Sequence, residues 1–451
     1  MEITKGDIKK LEKTGCGGDD VFCQAIEEVV RSITPLLESD EKYKRHAILE
    51  RLIVPDRIIK FKVTWMDDNQ EIQINTGFRI QSNNALGPYK GGLRFHPTVN
   101  EGVLKFLGFE QILKNALTGL HIGGGKGGSD FDPKGKSDFE IMKFCSAFMT
   151  ELYKYIGHRI DIPAGDIGVG SREIGYLFGE YKKITSSYEG VLTGKPSMFG
   201  GSLVRPEATG YGVVYFTEAM LKMEGKEDLK GKICTVSGAG NVAIYTIEKL
   251  YHLGAIPVTC SDSKGTIYDP RGIDLKLLKE LKLKKRVSLE EYVNSHSEAT
   301  YIPISEYPKG GHAVWSIECH SAFPCATQNE LTKVDAQNLV QNGCVSVSEG
   351  ANMPSTPDAI DIFLGNKICF APAKAANAGG VAVSEFEMAQ NASMSRWSFE
   401  KVDEMLKATM QQICKLVFLT AKNYGVEGNY VDGANIAGFK RVADAMIAEG
   451  I

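Results

Sequence analysis

Residues 232–243 have the sequence Lys232-Ile233-Cys234-Thr235-Val236-Ser237-Gly238-Ala239-Gly240-Asn241-Val242-Ala243. The apolar run before Gly238 predicts a buried strand, and the segment after Gly240 predicts a helix that ends near Gly254. A second strand is predicted over residues 256–260. The order strand, glycine turn, helix, strand predicts a βαβ unit of about thirty residues, and with it an α/β fold.

The glycine turn of this unit predicts a site for a dinucleotide. Gly238 allows the tight turn, Gly240 lets a pyrophosphate approach the backbone, and Ala243 permits close packing of the helix on the strand. The positive end of the helix attracts the anion. A βα turn without a ligand is the alternative, because the glycine pattern is specific only in this context. Contacts to the dinucleotide are expected at Ser237, Gly238, Gly240, Asn241 and Val242.

The end of the second strand bears on the choice between NAD and NADP. Asp262 stands where a carboxylate would hold the ribose 2′-hydroxyl of NAD. Donors for a phosphate surround it, and a basic cluster over residues 282–286 follows. That cluster is alternatively a solvated helix face. The number of donors favours NADP over NAD, with contacts expected at Ser261, Asp262, Ser263, Lys285 and Arg286.

A second glycine-rich stretch isolates one lysine, in Gly123-Gly124-Gly125-Lys126-Gly127-Gly128-Ser129-Asp130-Phe131-Asp132. A lysine held among glycines loses part of its hydration, which favours its neutral form and suits a catalytic amine. A P-loop is excluded because it needs glycine at Leu120 and Ser or Thr at Gly127. A flexible surface loop is the remaining alternative.

Two further lysines and one aspartate join Lys126 as candidates. Lys90 lies in the glycine-rich segment 87–92, and Lys114 lies near the end of a helix that Asn100 would cap and that would run to about Leu117. Three ammonium groups in one cleft would suit a small dianion and one catalytic amine, although single lysines are mostly exposed. Asp166 follows a strand predicted over 159–162 and could transfer protons, or could simply form a turn.

Composition excludes several functional classes. The chain has 451 residues, enough for two or three domains, and a net charge of -4, which does not favour nucleic acid or an anionic membrane as partner. Its ten cysteines include no Cys-x-x-Cys pair and its eight histidines no His-x-x-x-His pair, so no metal site is expected. The start of the sequence shows no signal-peptide core and no apolar run has membrane-spanning length. Reduced thiols in the cytoplasm are therefore expected.

Other segments have simple periodicities. Residues 1–60 predict amphipathic helix, with Ala25, Ile26, Val29, Val30 and Ile33 at helical spacing. Residues 61–80 predict a hairpin. A last helix is predicted over 434–449. The local sequence pattern changes near residue 200.

The chain resembles the hexameric glutamate dehydrogenases of the smaller type, almost from end to end. The motifs that carry the resemblance are residues 87–97, 123–136, 163–168, 201–210, 325–330 and 377–381 with Ser384. The resemblance implies a two-domain α/β amino-acid dehydrogenase. An N-terminal α/β substrate and oligomerisation domain would span 1–200, with the C-terminal helix 428–451 returning to it. A Rossmann-like dinucleotide-binding domain would span 201–427.

The activity that the resemblance implies is the reversible reductive amination of 2-oxoglutarate with ammonia to L-glutamate, using NADPH, in a cytoplasmic homohexamer. Lys126 would be the catalytic amine and Asp166 the proton relay. Lys90 with Ser384 would bind the distal carboxylate. Further substrate contacts are implied at Gln111 and Lys114 for the α-carboxylate and at Ala164, Gly165 and Val381. Cofactor contacts are implied at Thr209, Asn241, Ala326, Thr327, Asn329, Asn352 and Asn377.

The sequence departs from the family pattern at His121-Ile122, where members usually have Pro-Met, and this puts rates in doubt rather than the reaction. The long insertion that carries purine-nucleotide control in animal enzymes is missing, so that control is not expected. Two rival functions stay open. A leucine or phenylalanine dehydrogenase would need no cation at Lys90 and no hydroxyl at Ser384. A catalytically dead NADP sensor would be expected to lack Lys126 or Asp166, and both are present.

Overall fold

The structure, a computed structural model, describes residues 20–450 and divides them into two compact units. The first unit takes in the chain up to Arg205, the segment Val381–Val402, and the chain from Asn435 onward. The second unit consists of Pro206–Gly380 and Asp403–Ala434. Val381–Val402, which the sequence prediction assigned to the dinucleotide-binding domain, is thus part of the first unit. Its side chains explain this, because Gln390 donates to Ser202 and Asn391 donates to the carbonyl oxygen of Gly200.

The described part of the first unit starts with helices and is built on one mixed sheet. Its strands are β1 (Arg57–Met66), β2 (Ile72–Asn83), β3 (Tyr89–Phe95), β4 (Gly124–Ser129) and β5 (Asp161–Gly165). The helices up to Arg205 are α1 (Asp20–Ser39), α2 (Lys42–Arg45), α3 (Ile48–Ile53), α4 (Glu101–Leu117), α5 (Asp138–Leu152) and α6 (Ser171–Thr185). In the part of the chain that is described, the strand order of this sheet is β1-β2-β4-β3-β5.

Pairing within this sheet changes direction in its middle. The strands β1, β2 and β4 are antiparallel neighbours, whereas β3 runs parallel to both β4 and β5. The parallel strands therefore end at the same edge of the sheet, where open α/β sheets bind ligands. One face packs on an aromatic core in which the rings of Phe131 and Phe144 are stacked with centroids 3.8 Å apart.

The second unit contains a parallel sheet and a small antiparallel one. Its strands are β6 (Ile233–Val236), β7 (Ile256–Pro257), β8 (Thr259–Ser261), β9 (Gly265–Tyr268), β10 (Thr300–Pro303), β11 (Ser321–Phe323), β12 (Ser346–Ser348) and β13 (Cys369–Ala371). Its helices up to Ala376 are α7 (Ala208–Met223), α8 (Asn241–His252), α9 (Leu275–Lys279), α10 (Lys333–Gln341), α11 (Pro357–Gly365) and α12 (Ala373–Ala376). Three helices then complete the described chain: α13 (Gly379–Ala392), α14 (Phe399–Asn423) and α15 (Tyr430–Glu449).

The parallel sheet of the second unit has the order β13-β12-β11-β6-β7. The chain leaves β6 towards one side through α8 and later fills the other side with β11, β12 and β13. The strand order therefore reverses beside β6, which is the kind of position where doubly wound sheets bind nucleotides. Gly238 lies in the turn after β6.

Several predicted elements are confirmed and others are shifted. The hairpin is present as β1 and β2, and Asn100 caps α4 by accepting from the backbone N–H of Val103. The strand predicted over 159–162 lies two residues later, as β5. The strand predicted over 256–260 is divided into β7 and β8, which belong to different sheets, and the last helix starts earlier, at Tyr430.

The helix predicted over 1–60 is interrupted in its described part. Residues 1–19 and the side chain of Ala25 lie outside the described residues. From Asp20 onward three helices replace the single one, with Ala47 in a left-handed conformation between the second and third. The predicted apolar positions Ile26, Val29, Val30 and Ile33 are buried. Within residues 20–450, no helix combines the length and the apolar character that crossing a membrane requires.

Candidate functional site

The glycine run around Lys126 is a buried strand, so the surface-loop alternative is wrong. Lys126 lies in β4, opposite Ile80 of β2, and Leu93 of β3 pairs with Gly127 on the other side. Each residue of β4 is buried. The glycines are needed because the neighbouring chains are close. An added Cβ at Gly127 would lie 2.7 Å from the carbonyl oxygen of Phe78.

Lys126 and Asp166 form an ion pair at the end of the parallel strands. The ammonium nitrogen lies 3.0 Å from the Asp166 Oδ2 atom, and Lys126 is only 7% exposed. Arg94 Nε donates to the same oxygen at 3.0 Å. Burial would raise the pKa of Asp166, but the charges of Lys126 and Arg94 outweigh it, so the pKa lies below its usual value. Asp166 is therefore a carboxylate with two cationic partners.

Gly92 makes room for this pair. A Cβ at Gly92 would come within 2.8 Å of the Asp166 Cβ atom and within 3.3 Å of the Lys126 ammonium nitrogen. A separation under about 3 Å between two carbon atoms is well inside van der Waals contact. The absence of a side chain at this position therefore sets the distance between Lys126 and Asp166.

Lys114 extends towards the same charges from the last turn of α4. Burial and the charge of Lys126 lower the pKa of Lys114 to about 8, against the opposing charges of Asp166 and Glu110. No ion pair or hydrogen bond of its ammonium group is found among the described residues. On the same helix, Gln111 donates through Nε2 to the Asn115 side chain at 2.7 Å.

Asn115 is a site residue that the sequence reasoning missed. It is fully buried, and its Nδ2 group donates to the carbonyl oxygen of Lys90 at 3.1 Å and also to that of Gly123. Asn115 thus joins α4 to the segments that carry Lys90 and Lys126. An asparagine in a helix gives no sequence signal for such a role, because its use depends on which chain lies opposite.

Lys90 is the most completely buried of the three lysines. It is 2% exposed, and its pKa lies well below the usual value because of burial and the charges of Arg205 and Arg79, against the opposing charges of Glu387 and Asp161. Across residues 20–450, no hydrogen bond or ion pair of the Lys90 ammonium group is found. A buried cation without a partner is costly unless a ligand supplies the opposite charge.

Arg205 is a second cation near Lys90 and is half-buried. The sequence reasoning did not single it out although it lies in the motif 201–210. Its Nε atom is shielded from solvent and has no hydrogen-bond partner among the described residues. Burial lowers the pKa of Arg205, and the charge of Glu387 partly restores it. An arginine has five donors in a planar fork, which suits a carboxylate.

The remaining predicted substrate residues belong to the same compact unit. Ser384 is 3% exposed and lies on α13, on which Val381 is half-buried. Ala164 and Gly165 are the last residues of β5, immediately before Asp166. The predicted substrate residues therefore all belong to the first unit. Three of them, Ala164, Gly165 and Asp166, lie together at one edge of its sheet.

Behind the strands that carry Lys90 and Lys126, a buried ion pair crosses the sheet. Arg79 of β2 and Asp161 of β5 are both 0% exposed and interact through two donors of the guanidinium group. Arg79 Nη1 also donates to the carbonyl oxygen of Gly91 at 3.2 Å. A Cβ at Gly125 would lie 3.3 Å from Arg79 Nη2, so the glycine leaves room for the guanidinium group.

In the second unit, the turn after β6 has the geometry that a dinucleotide needs. Gly238 has a φ of +87°, which favours glycine, and a Cβ there would lie 3.0 Å from the carbonyl oxygen of Cys325. The N–H group of Gly238 donates to Ser261 Oγ at 2.8 Å, and Ser237 Oγ accepts from the N–H group of Cys325 at 2.9 Å. These bonds fix the turn between the ends of three strands.

Gly240 stands at the start of α8 and faces open space. No atom lies within 4 Å of the position that a Cβ of Gly240 would occupy. The helix has no side-chain cap at Gly240, so the first N–H groups, near Asn241 and Val242, are available to a ligand. An uncapped helix start beside an open space fits a phosphate group.

The residues predicted to favour NADP over NAD differ in their exposure and in their contacts. Asp262 pairs with Lys282 at 2.9 Å, and this charge contributes to a pKa of Asp262 below the usual value although burial opposes it. Ser263 is exposed. Lys285 is exposed and pairs with Glu280 at 2.8 Å, and Arg286 has a φ of +56°. The carboxylate that would favour NAD is thus partly neutralised by a lysine.

The loop 325–330 lies against the Gly238 turn. Its predicted contacts Ala326, Thr327 and Asn329 are exposed, whereas Glu330 accepts from the N–H groups of Ala326 and Thr327 at 2.9 and 3.3 Å. Burial raises the pKa of Glu330 to about 7.

Three predicted cofactor residues lie elsewhere in the second unit. Asn377 donates to Asn352 Oδ1 at 3.0 Å, and its own Oδ1 atom is buried without a partner in the part of the chain that is described. Thr209 is half-buried in the first turn of α7. All the predicted cofactor residues belong to this one unit. Within residues 20–450, no group of three His, Cys, Asp or Glu side chains is arranged to hold a metal ion.

Comparisons with known proteins match the whole chain. Residues 200–450 match the family described as Glutamate/Leucine/Phenylalanine/Valine dehydrogenase, and residues 55–183 match its dimerisation domain. An NADP-specific glutamate dehydrogenase of Helicobacter pylori is 62% identical over 95% of this chain and 96% of its own length. An NAD(P)-specific glutamate dehydrogenase of Xylanibacter ruminicola is 52% identical over 98% of both chains. The crystal structure of Plasmodium falciparum glutamate dehydrogenase is similar with a TM-score of 0.94 and 50% identity, covering 98% of this chain and 94% of that one.

Proposed function

This chain belongs to the family of glutamate, leucine, phenylalanine and valine dehydrogenases, and we propose that it converts 2-oxoglutarate, ammonia and NADPH to L-glutamate and NADP, reversibly, with the buried lysines of its first unit. The chain is a glutamate dehydrogenase that uses NADP, since relatives that are 62% and 51% identical to it are named NADP-specific glutamate dehydrogenases. The roles of individual residues below are our proposal.

The observation that carries the substrate assignment is a pair of cations, the buried Lys90 and the half-buried Arg205, for which no acidic partner is found among the described residues. A distal carboxylate would supply the missing negative charge, and Ser384 would add a hydroxyl donor. Lys114 with Gln111 would bind the α-carboxylate. A leucine or phenylalanine side chain would leave Lys90 and the Arg205 Nε atom buried and unpaired, which is strongly unfavourable.

Lys126 and Asp166 would carry the proton transfers. Ammonia attacks C2 of the bound keto acid, Lys126 gives one proton to the carbonyl oxygen, and that oxygen leaves as water once it has received a second proton, which the nitrogen gives up. Asp166 takes protons from the nitrogen and exchanges them with Lys126 across the 3.0 Å ion pair. General acid–base catalysis of this kind contributes about 10²–10⁴-fold to the rate.

The cofactor would lie on the turn after β6. The open space at Gly240, the uncapped start of α8 and the positive φ of Gly238 fit a pyrophosphate. When bound, NADPH would supply the hydride for C2 of the substrate. Lys282 would attract the 2′-phosphate while neutralising Asp262, and Ser263, Lys285 and Arg286 would add donors at the surface.

We further propose a cytoplasmic homohexamer. The hairpin of β1 and β2 exposes apolar side chains on one face: Ile58 at 41%, Met66 at 45%, Ile72 at 60% and Ile74 at 67%. They lie in the region that matches the family's dimerisation domain, which supports burial of this face against another copy. The cysteines from Cys145 onward are free thiols, as expected in a reducing compartment.

Turnover with a set of substrates tests the proposal. Oxidation of NADPH should require both 2-oxoglutarate and ammonium, and it should be slower when NADH replaces NADPH. The keto acids of leucine and phenylalanine should be poor substrates. Faster turnover of either apolar keto acid would contradict the substrate assignment, and light scattering of the purified chain would test the hexamer.

A further inference from the structure

A second buried ion pair lies beside the proposed substrate residues without being one of them. Glu387 Oε1 lies 2.7 Å from Lys195 Nζ, and both side chains are 0% exposed. Lys195 Nζ also donates to the carbonyl oxygen of Leu192. A buried ion pair often stabilises a fold no better than apolar residues would. The placement of this pair therefore suggests a role in function.

Glu387 connects the helix of Ser384 to the strand that precedes Asp166. Ser384 lies one helical turn before Glu387 on α13. The carboxylate of Glu387 accepts from the N–H group of Gly194 at 2.9 Å. The adjacent N–H group of Thr193 donates to the carbonyl oxygen of Pro163 in β5 at 3.0 Å. Three consecutive hydrogen-bonded segments thus fix Ser384 relative to Asp166.

The same carboxylate acts electrostatically on Lys90 and on Arg205, for which no ion pair is found in the described part of the chain. Burial is the main cause that lowers the pKa of Lys90, followed by the charges of Arg205 and Arg79, while Glu387 and Asp161 oppose this shift. Burial also lowers the pKa of Arg205, and Glu387 opposes that shift too. Asp161 is already bound to Arg79 by two donors. Glu387 is therefore the carboxylate that acts on Lys90 and on Arg205 together.

We propose that Glu387 is a positioning residue for the distal carboxylate of the substrate. Its fixed negative charge favours the charged forms of Lys90 and Arg205, which can then bind an anion. Its hydrogen bonds set the separation between Ser384 and the end of β5. Lys195 limits the strength of this charge. The inference rests on the proposed function, because it takes the pocket at Lys90 to be the site of a carboxylate.

Removing the charge of Glu387 should change the affinity for an anion in opposite directions at low and at high pH. A purely structural role would not produce this reversal. In Glu387→Gln the shape and the acceptor for Gly194 are kept, but one negative charge is lost. At low pH, where Lys90 is protonated, an anion is then repelled less and should bind as tightly as before or more tightly. At high pH Lys90 loses its proton earlier, so binding should weaken. The two binding curves should cross.

Calorimetric titration of the full chain with glutarate measures the affinity for a dicarboxylate at each pH. Glutarate has both carboxylates but no keto group, so it binds without turnover. Between about pH 6 and about pH 10, the loss of affinity in Glu387→Gln should begin about one pH unit below that of the parent, which is roughly tenfold weaker binding at the upper end. Lys195→Met should shift the loss in the opposite direction, since Glu387 is then no longer neutralised. If Glu387→Gln does not fold, the shift in Lys195→Met decides the question.

A matched control is Asp403→Asn in the second unit. Asp403 pairs with Lys249 at 3.0 Å, and that lysine side chain is 7% exposed. This variant should lose stability but keep the pH profile of glutarate binding. The role of Glu387 would be overturned if Glu387→Gln and Lys195→Met both kept the parent's dependence of glutarate affinity on pH, or if both bound glutarate more weakly by the same factor at every pH. Either result would leave the proposed reaction intact. A parent chain that neither binds glutarate nor reduces 2-oxoglutarate would instead remove the proposed function, and the inference with it.

Discussion

The two compact units differ in how they present charge to a ligand. In the first unit the proposed ligands are charged side chains inside the protein: Lys90 is 2% exposed and Lys126 is 7% exposed. In the second unit the proposed ligands are backbone N–H groups at a helix start and exposed side chains such as Ser263 and Lys285. The first unit therefore contributes few, strong and directional interactions, and the second contributes many weaker ones.

This difference has a consequence for mutations. A buried charge that loses its ligand is costly, so a change in the first unit should have a large effect on which molecule binds. A backbone dipole or an exposed donor acts in a more polar environment, so a change in the second unit should have a smaller effect. The following predictions test this ranking, from the largest effect to the smallest.

The double change Lys90→Leu with Ser384→Val should have the largest effect. It replaces a buried cation and a buried hydroxyl by apolar groups, which removes the discrimination against apolar side chains. The ratio of kcat/KM for glutamate to that for leucine should fall by about 10⁴-fold. Steady-state kinetics of oxidative deamination with both amino acids measures this ratio. A double variant that still prefers glutamate to the same degree would contradict the assignment of this pocket.

Lys126→Ala should lower kcat by about 10²–10⁴-fold or more, because the amine that exchanges protons with the carbonyl oxygen is lost. The rate at saturating 2-oxoglutarate, ammonium and NADPH measures the effect. Lys143→Ala is a suitable control, since Lys143 forms a surface ion pair with Asp68. A rate near that of the parent in Lys126→Ala would exclude Lys126 from the chemistry.

Gly92→Ala should reduce kcat by about 10²-fold with a smaller change in KM, because the added Cβ displaces Asp166 or Lys126 from its position. Gly179→Ala, where an added Cβ meets no atom within 4 Å, should behave as the parent does. The same kinetic assay compares the two variants. Normal turnover in Gly92→Ala would mean that the close approach at Gly92 does not control the catalytic geometry.

Lys282→Ala should have the smallest effect, and it concerns cofactor choice. Loss of this ammonium removes a partner of the 2′-phosphate and frees Asp262 to bind a ribose hydroxyl. The ratio of kcat/KM for NADPH to that for NADH should fall by about tenfold, as for one charge-assisted hydrogen bond. Lys276→Ala, an exposed lysine of α9, is the control. An unchanged ratio would indicate that other donors determine the preference.

The sequence correctly predicted the strand, the glycine turn and the helix start of the second unit, because their geometry is local. A glycine at positive φ, a second glycine and a helix start follow one another along the chain, and their geometry depends on the backbone itself. The single strand predicted over residues 256–260 was wrong, because the structure divides this run into β7 and β8. Two short strands of different sheets give one apolar run, and the run alone does not tell which sheet each half joins.

In the first unit the sequence identified candidate charges but not their partners. Lys126 and Asp166 were predicted as site residues, yet the ion pair between them and the pairing of Asp166 with Arg94 depend on strands that are distant in sequence. Asn115, Arg205 and Glu387 carry no local signal. Each acquires its role from what lies opposite it after folding.

The sequence by itself determined the α/β class and the glycine turn of the second unit, and it singled out the candidate lysines, since these follow from local backbone freedom and from residue chemistry. Tertiary structure alone decided that Val381–Val402 joins the first unit and that, among the described residues, the Lys90 ammonium group and the Arg205 Nε atom have no partner. The physical reason is that desolvation and Coulomb interactions depend on distances in space, and these distances exist only once the strands and helices have packed.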